Sequence, residues 1–302
     1  MSRNLAGVLP VLVTPFDENG GCDTAALARE VEFVIGHRAH GVVLGMVSEV
    51  LRLSSEERDA LMEATCEAVD GRVSVTASVG AESLHTAVRH ARHAESVGVD
   101  AVMAIPPIAT SCEDPELFRY YSHIIESVEL PVVVQDASGY LGRPLSIELQ
   151  AHLFAEHGDR AMFKPEAQPI GPRLSRLLEA TDGRAKIFEG AGGVALVDSY
   201  KRGIAGTMPG ADLCWALVAL WDALEANDDD RIDQIQGPLC AIVSALPSLD
   251  SFVVVAKHLL RRQQVISAPI VRGPVGYELD AATEREVDRM FDRLARAVNV
   301  QV

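Results

Sequence analysis

The sequence predicts an α/β fold, a (β/α)8 TIM barrel with a C-terminal helical extension, and three observations carry that prediction. Eight short runs of apolar, mostly β-branched residues alternate with longer helical patterns. The runs are continuously apolar, as expected of parallel strands buried on both faces rather than of half-exposed ones. After Asn227-Asp228-Asp229-Asp230 the strand runs stop and only helical periodicity continues.

The elements follow in order. Val8-Leu9-Pro10-Val11-Leu12-Val13 is the first strand, with a helix expected over 24–37. Gly41-Val42-Val43-Leu44 precedes a helix opened by Ser54-Ser55-Glu56-Glu57, where a serine followed three residues on by glutamate is a capping-box signature. Strands over 73–77, 101–105, 131–134 and 161–164 lead to helices over 84–96, 115–128, 147–157 and 173–180. Strands over 185–188 and 204–207 complete eight units, which favours a closed barrel over an open doubly wound sheet. The barrel is therefore expected over 1–227 and a three-helix extension over 228–302, with helices at 232–246, 249–264 and 280–298.

Composition narrows the function. The 302 residues include 43 acidic and 27 basic side chains, a formal charge of -16. The pI near 5.0 argues against nucleic acid, whose phosphates require a basic face. No apolar run is long enough to span a membrane, and Met1-Ser2-Arg3-Asn4 has no leader-like stretch. Five scattered cysteines without a CxxC pair read as reduced thiols, so a cytoplasmic location is expected.

In such a barrel the chemistry lies at the C-terminal strand ends, which here offer Thr14, Ser48, Glu49, Ser78, Gln135, Asp136, Lys164, Glu166, Glu189 and Thr207. Lysine is scarce: Lys164, Lys186, Lys201 and Lys257 are the only four, leaving 23 of the 27 basic residues as arginine. Lys164 ends an apolar run, where desolvation lowers an amine's pKa and makes it nucleophilic toward a carbonyl. A lysine whose head reaches solvent is the plain structural alternative. Glu166, two residues on in an extended segment, shares the face of Lys164 and is the first proton-carrier candidate, unless Pro165 turns it to the surface. Asp136, of opposite parity to Gln135, is the second. Gly190-Ala191-Gly192-Gly193 lacks GxGxxG spacing and reads as a substrate or packing loop. His85, His90 and His93, interleaved with Arg89 and Arg92, read as a solvated helix face. With no HExxH or CxxC pair, neither a metal nor any other cofactor is expected.

An ordered set of segments resembles a known family. Thr14-Pro15-Phe16 follows strand 1, and Gly45-Met46-Val47-Ser48-Glu49 follows strand 2. Then come Leu53-Ser54-Ser55-Glu56-Glu57-Arg58, Pro106-Pro107, Phe163-Lys164, Gly190-Ala191-Gly192-Gly193, Gly203-Ile204-Ala205-Gly206, Lys257 and Arg272-Gly273-Pro274. Together they resemble the dihydrodipicolinate synthase/N-acetylneuraminate lyase family of class I aldolases. The resemblance implies a barrel, usually a tetramer, in which Lys164 forms a Schiff base with a 2-oxo acid such as pyruvate. The substrate would lie against Met46, Val47, Ser48, Gln135, Gly190 and Thr207, its carboxylate held by backbone N–H groups and the Ser48 hydroxyl.

The departures are informative. Met46 and Val47 stand where the family carries two threonines, Gln135 where it carries an acid/base tyrosine, Ile108-Ala109 where an aromatic pair is usual, and Tyr140 where an arginine is expected. These changes argue against dihydrodipicolinate synthesis itself, and the apolar pocket leans toward a less hydroxylated partner. The expectation is a homo-oligomeric aldolase or lyase (tetramer or dimer) acting on a 2-oxo acid and an aldehyde, making or breaking the C3–C4 bond. A 2-keto-3-deoxy sugar acid dehydratase and a 4-hydroxy-tetrahydrodipicolinate synthase use the same lysine. A metabolite-binding barrel without turnover is the reading from another class, and a metal-dependent lyase is a third.

Overall fold

The computed structural model describes residues 5–140 and 142–300. Among them the β/α alternation runs β1 (Gly7–Val8), α1 (Thr24–Gly36), β2 (Gly41–Leu44), α2 (Ser55–Val69), β3 (Ser74–Ser78) and α3 (Leu84–Val97). It continues with β4 (Ala101–Ala104), α4 (Asp114–Glu126), β5 (Val132–Asp136), α5 (Ile147–His157), β6 (Ala161–Pro165) and α6 (Ile170–Ala180). It ends with β7 (Phe188–Glu189), α7 (Leu196–Lys201), β8 (Gly206–Thr207) and α8 (Cys214–Ala226). Three helices follow: α9 (Asp229–Val243), α10 (Leu249–Arg262) and α11 (Ala281–Val298). None of the described helices is long and apolar enough to cross a membrane.

Parallel pairing makes the barrel. Strands β2 to β6 pair in sequence order, and β1, β8 and β7 form a second ladder. Single parallel bridges, Val11 to Val43 and Phe163 to Ile187, join the two ladders at both ends and close the ring. At the β1–β8 seam Gly7 pairs with Gly206, where a Cβ on Gly206 would lie 2.3 Å from the Gly7 carbonyl oxygen. The first strand is shorter than the sequence suggests. Pro10 has no N–H to give the ladder, so regular pairing stops at Val8 and resumes as the bridge at Val11.

Alternation along each strand sorts the side chains. Val42, Leu44, Val132, Val134, Ala161 and Phe163 face the helices, while Val43, Val133, Met162 and Phe188 fill the barrel interior. The capping box expected before α2 is present: Ser54 Oγ accepts from Glu57 N–H, and Glu57 Oε2 accepts from Ser54 N–H at 2.8 Å. The histidine face of α3 departs from the expectation of a solvated stripe. His90 is buried at 1% exposure and turned toward Asp59 of α2, 3.5 Å away, and burial pushes its pKa down to about 4.

The helices beyond the strands share the barrel's outer core, since Ile235, Leu239, Phe291 and Leu294 join the same apolar cluster as Val42 and Val134. A polar tie adds to this. Glu49, after β2, adopts the left-handed region at φ 56°, a conformation costing about 1–2 kcal/mol outside glycine. Its carboxylate is ion-paired with Lys257 of α10 and accepts the Arg272 N–H at 3.0 Å. Lys257 also donates to the Ile270 carbonyl at 2.6 Å, and Lys257 and Arg272 both lie 4.4 Å from the Phe16 ring centroid.

Both members of the Glu49–Lys257 pair are fully enclosed. Removing Lys257 leaves the buried Glu49 carboxylate with the more distant Arg52 guanidinium at 3.7 Å and the Arg272 N–H, short of its close counter-charge. Lys257→Met is expected to destabilise the protein by about 3–5 kcal/mol in urea unfolding; a loss below about 1 kcal/mol, the range of exposed pairs, would contradict the assignment. A second buried acid provides a pH test. Glu30 accepts from Val13 N–H at 2.9 Å, its Oε2 has no partner among the described residues, and burial raises its pKa to about 8. Because the folded-state value is raised, the protonated acid's stability contribution is complete at low pH and is lost as pH rises toward 8. Glu30→Gln is therefore expected to melt progressively above the wild type between pH 5 and 8; parallel melting curves at every pH would contradict this.

Candidate active site

Three inward-facing positions at the ends of β5 and β6 come together. Gln135 pairs in register with Lys164, and Glu166 lies one residue beyond Pro165, still buried at 4% exposure. Pro165 thus remains part of β6, and the extended backbone carries Glu166 to the same side as Lys164. The Lys164 ammonium sits 3.1 Å from Glu166 Oε1, and the lysine is only 5% exposed. Gln135 Nε2 donates to both Glu166 oxygens at 3.2 Å, while its Oε1 has no partner among the described residues. Burial pushes the Glu166 carboxyl above its ordinary range, opposed by Lys164 and the Gln135 amide.

Glu189, at the end of β7, is a second buried carboxylate. It accepts from the Thr207 hydroxyl at 2.6 Å, from Ala191 N–H at 2.9 Å and from Gly193 N–H at 3.3 Å. Burial raises its pKa, and those donors with Lys164 pull it back. Two N–H groups of the glycine-rich loop, those of Ala191 and Gly193, are therefore occupied by the chain's own carboxylate, which argues against the loop as a phosphate cradle. Gly190 lies against the lysine: a Cβ there would come within 2.6 Å of Glu166 Oε1 and 2.7 Å of Lys164 Cε.

The slot above Lys164 is lined by Met46, Val47, Gln135, Glu166 and Gly190, with free space of about 30 Å³. Tyr140, Leu249 and Phe252 crowd it from the β5–α5 loop and from α10, and the Tyr140 and Phe252 rings meet edge to face at 5.8 Å. Burial, followed by Glu166 and Glu189, raises the Tyr140 phenol pKa, so it stands as a neutral hydroxyl beside the pair.

The expected residues divide accordingly. Lys164, Glu166, Gln135, Met46, Val47 and Gly190 converge. Ser48 does not present its hydroxyl to the slot: Oγ donates to the Leu12 carbonyl and accepts from Gly45 N–H at 2.9 Å, while its own carbonyl accepts from Thr14. Thr207 is fully buried and engaged with Glu189. Asp136 follows its opposite parity away from Lys164, accepting from Ser138 N–H at 3.0 Å and Leu145 N–H at 3.1 Å. It braces the β5–α5 loop that carries Tyr140. Sequence reading did not assign Tyr140, Leu249 or Phe252 to the site. Tyr140 stands at the family's arginine position and offered a hint, whereas Leu249 and Phe252 arrive from a helix more than 80 residues downstream of Lys164 in the chain.

The structure is thus a (β/α)8 barrel with a lysine amine buried at the end of its sixth strand. More narrowly, a model of the dihydrodipicolinate synthetase family matches residues 4–292, and the chain belongs to that family, the one its motif set resembles. It is 28% identical over 294 residues, 95% of this chain and 94% of the other, to an L-2-keto-3-deoxyarabonate dehydratase of Azospirillum brasilense. It is 29% identical over 287 residues, 93% and 96% of the two chains, to a 4-hydroxy-tetrahydrodipicolinate synthase of Rhizobium meliloti. The fold is also that of the 4-hydroxy-tetrahydrodipicolinate synthase of Methylacidiphilum fumariolicum, with a TM-score of 0.88 at 24% identity over 98% of both chains. A catalytic lysine mutant of a Ruminococcus gnavus sialic acid aldolase gives a TM-score of 0.88 at 20% identity, covering 98% of this chain and 99% of that one.

Because any side chain at position 190 would overlap the pair, Gly190→Ala is expected to displace Lys164 and Glu166. Overpacking of this kind costs about 1–3 kcal/mol, and a 1 Å misplacement of a reacting group costs on the order of 100-fold in rate. Wild-type rates of lysine modification by a small carbonyl compound in the variant would contradict the contact.

Proposed function

We propose that this protein is a class I aldolase or lyase in which Lys164 forms an imine with a pyruvate-like 2-oxo acid and the C3–C4 bond is made or broken. The observation that carries this reading is the enclosed Lys164–Glu166 pair, 3.1 Å apart at the mouth-side end of β6. An amine must be neutral to attack, and a carboxylate whose pKa burial has raised is a suitable acceptor for the ammonium proton. In this reading Glu166 takes that proton, returns it as the carbinolamine loses water, and then serves the proton transfers at the substrate. Gln135, which has no basic atom, orients the Glu166 carboxylate. The first N–H groups of the short helical turn at Met46–Ser48 face no earlier helical carbonyl and would hold the 2-oxo acid's carboxylate, replacing the expected Ser48 hydroxyl.

A dehydratase is the second reading. It uses the same imine but expels a hydroxyl instead of an aldehyde, and the relative named as an L-2-keto-3-deoxyarabonate dehydratase favours it. In either reading the protein works as a cytoplasmic homo-oligomer on small molecules, without a metal or nucleotide.

Borohydride reduction in the presence of pyruvate, followed by peptide mass spectrometry, tests the proposal. The expected result is one reduced pyruvate on Lys164, absent in Lys164→Ala; no adduct with any of a broad panel of 2-oxo acids would overturn it. Glu166→Gln is expected still to form the adduct while kcat drops by about 100- to 10,000-fold, the span of a general acid–base contribution. A barrel that binds without turnover would instead show ligand binding but no product in any variant.

A further inference from the structure

Beside Tyr140 and Phe252 lies a second space of about 210 Å³. It shares Tyr140, Glu166, Gly190 and Phe252 with the space above Lys164, so the two adjoin along these residues. Its outer wall is formed by Val194 after β7 and by Val243, Leu246 and Pro247 at the α9–α10 connection. Gln168, Tyr140 and Glu166 are its polar groups, and no basic side chain lines it among the described residues.

We propose that this groove holds the apolar end, aryl or branched alkyl, of a 4-hydroxy-2-oxo acid whose keto carbon is bound to Lys164. The inference rests on the imine reading above and specifies its substrate class. A cavity of about 150 Å³ with apolar walls suffices for benzene, so the groove has room for a ring. A second carboxylate or a phosphate in it would meet Glu166 with no basic partner beyond Lys164, and burying an unpaired charge is costly. A polyhydroxylated chain would lie against Val194, Val243 and Leu246 with few groups to accept or donate hydrogen bonds.

The reaction balances without an added reagent. Lys164 Nζ condenses with the keto carbon and water leaves. Glu166 takes the proton of the C4 hydroxyl, the C3–C4 bond breaks, and its electron pair passes to the protonated imine, leaving an enamine, while the aldehyde departs from the groove. C3 then takes a proton, and water hydrolyses the imine to release pyruvate and restore the amine.

The test compares 4-hydroxy-2-oxo acids that differ only at C4, with a phenyl, a carboxylate or a polyhydroxylated chain, following pyruvate release from the full chain. The phenyl compound is expected to have a kcat/KM at least about tenfold above the other two, the discrimination available to an apolar pocket. Val194→Asp at the rim and Leu246→Asp in the wall are each expected to erase that preference. A wild-type preference for the carboxylate or the polyol would overturn the proposal, as would equal losses on all three substrates in both variants. Borohydride trapping with pyruvate separates the two failures: an adduct on Lys164 without a phenyl preference refutes the groove alone, whereas no adduct refutes the imine reading on which it rests.

Discussion

Closure of the parallel sheet is the constraint on which the rest depends. Once β1 meets β8 and the bridges at Val11 and Phe163 join the two ladders, every second side chain has only the barrel interior to enter. Apolar residues fill that interior as far as Val133, Met162 and Phe188. Continuing the same parity by one more inward position brings Gln135 and Lys164 to the mouth, and by two brings Glu166. A lysine and a carboxylate so enclosed must answer each other, because neither retains enough water to remain charged alone.

The polar groups at this end satisfy one another in separate sets. Glu166 is held by Lys164 and Gln135, Glu189 by Thr207 and the glycine-rich loop, and Glu49 by Lys257 and the Arg272 amide. Only the first set opens onto the slot. The second shapes its floor by fixing the Gly190–Gly193 turn, and the third fastens α10 against the barrel. That last contact has a direct consequence for the site, because α10 also supplies Leu249 and Phe252. The helical extension is thus a wall of the slot above Lys164 as well as a cover for the outer core.

Relative to the family's usual pattern, the chain exchanges a tyrosine on β5 for Gln135 and an arginine on the following loop for Tyr140. The exchange removes the cation and places an aromatic ring on the loop, packed against Phe252. The result is a buried lysine–carboxylate pair with apolar and aromatic surroundings.

The sequence by itself determined the barrel, its helical continuation and the strand-end position of Lys164, because all three follow from local periodicity: runs of period two, helices of period 3.6, and caps such as Ser54 with Glu57. It also carried the pairing of Lys164 with Glu166, since two residues of extended chain return to the same face. Tertiary structure decided the remainder. Whether Ser48 and Thr207 offer their hydroxyls outward or spend them on Leu12 and Glu189 depends on partners 36 and 18 residues away. Whether His90 meets water depends on how α3 lies on α2. The enclosure of Lys257 and the arrival of Phe252 over Lys164 depend on where a helix docks after the barrel has closed. Such contacts are set by packing between distant segments, and no local pattern encodes them.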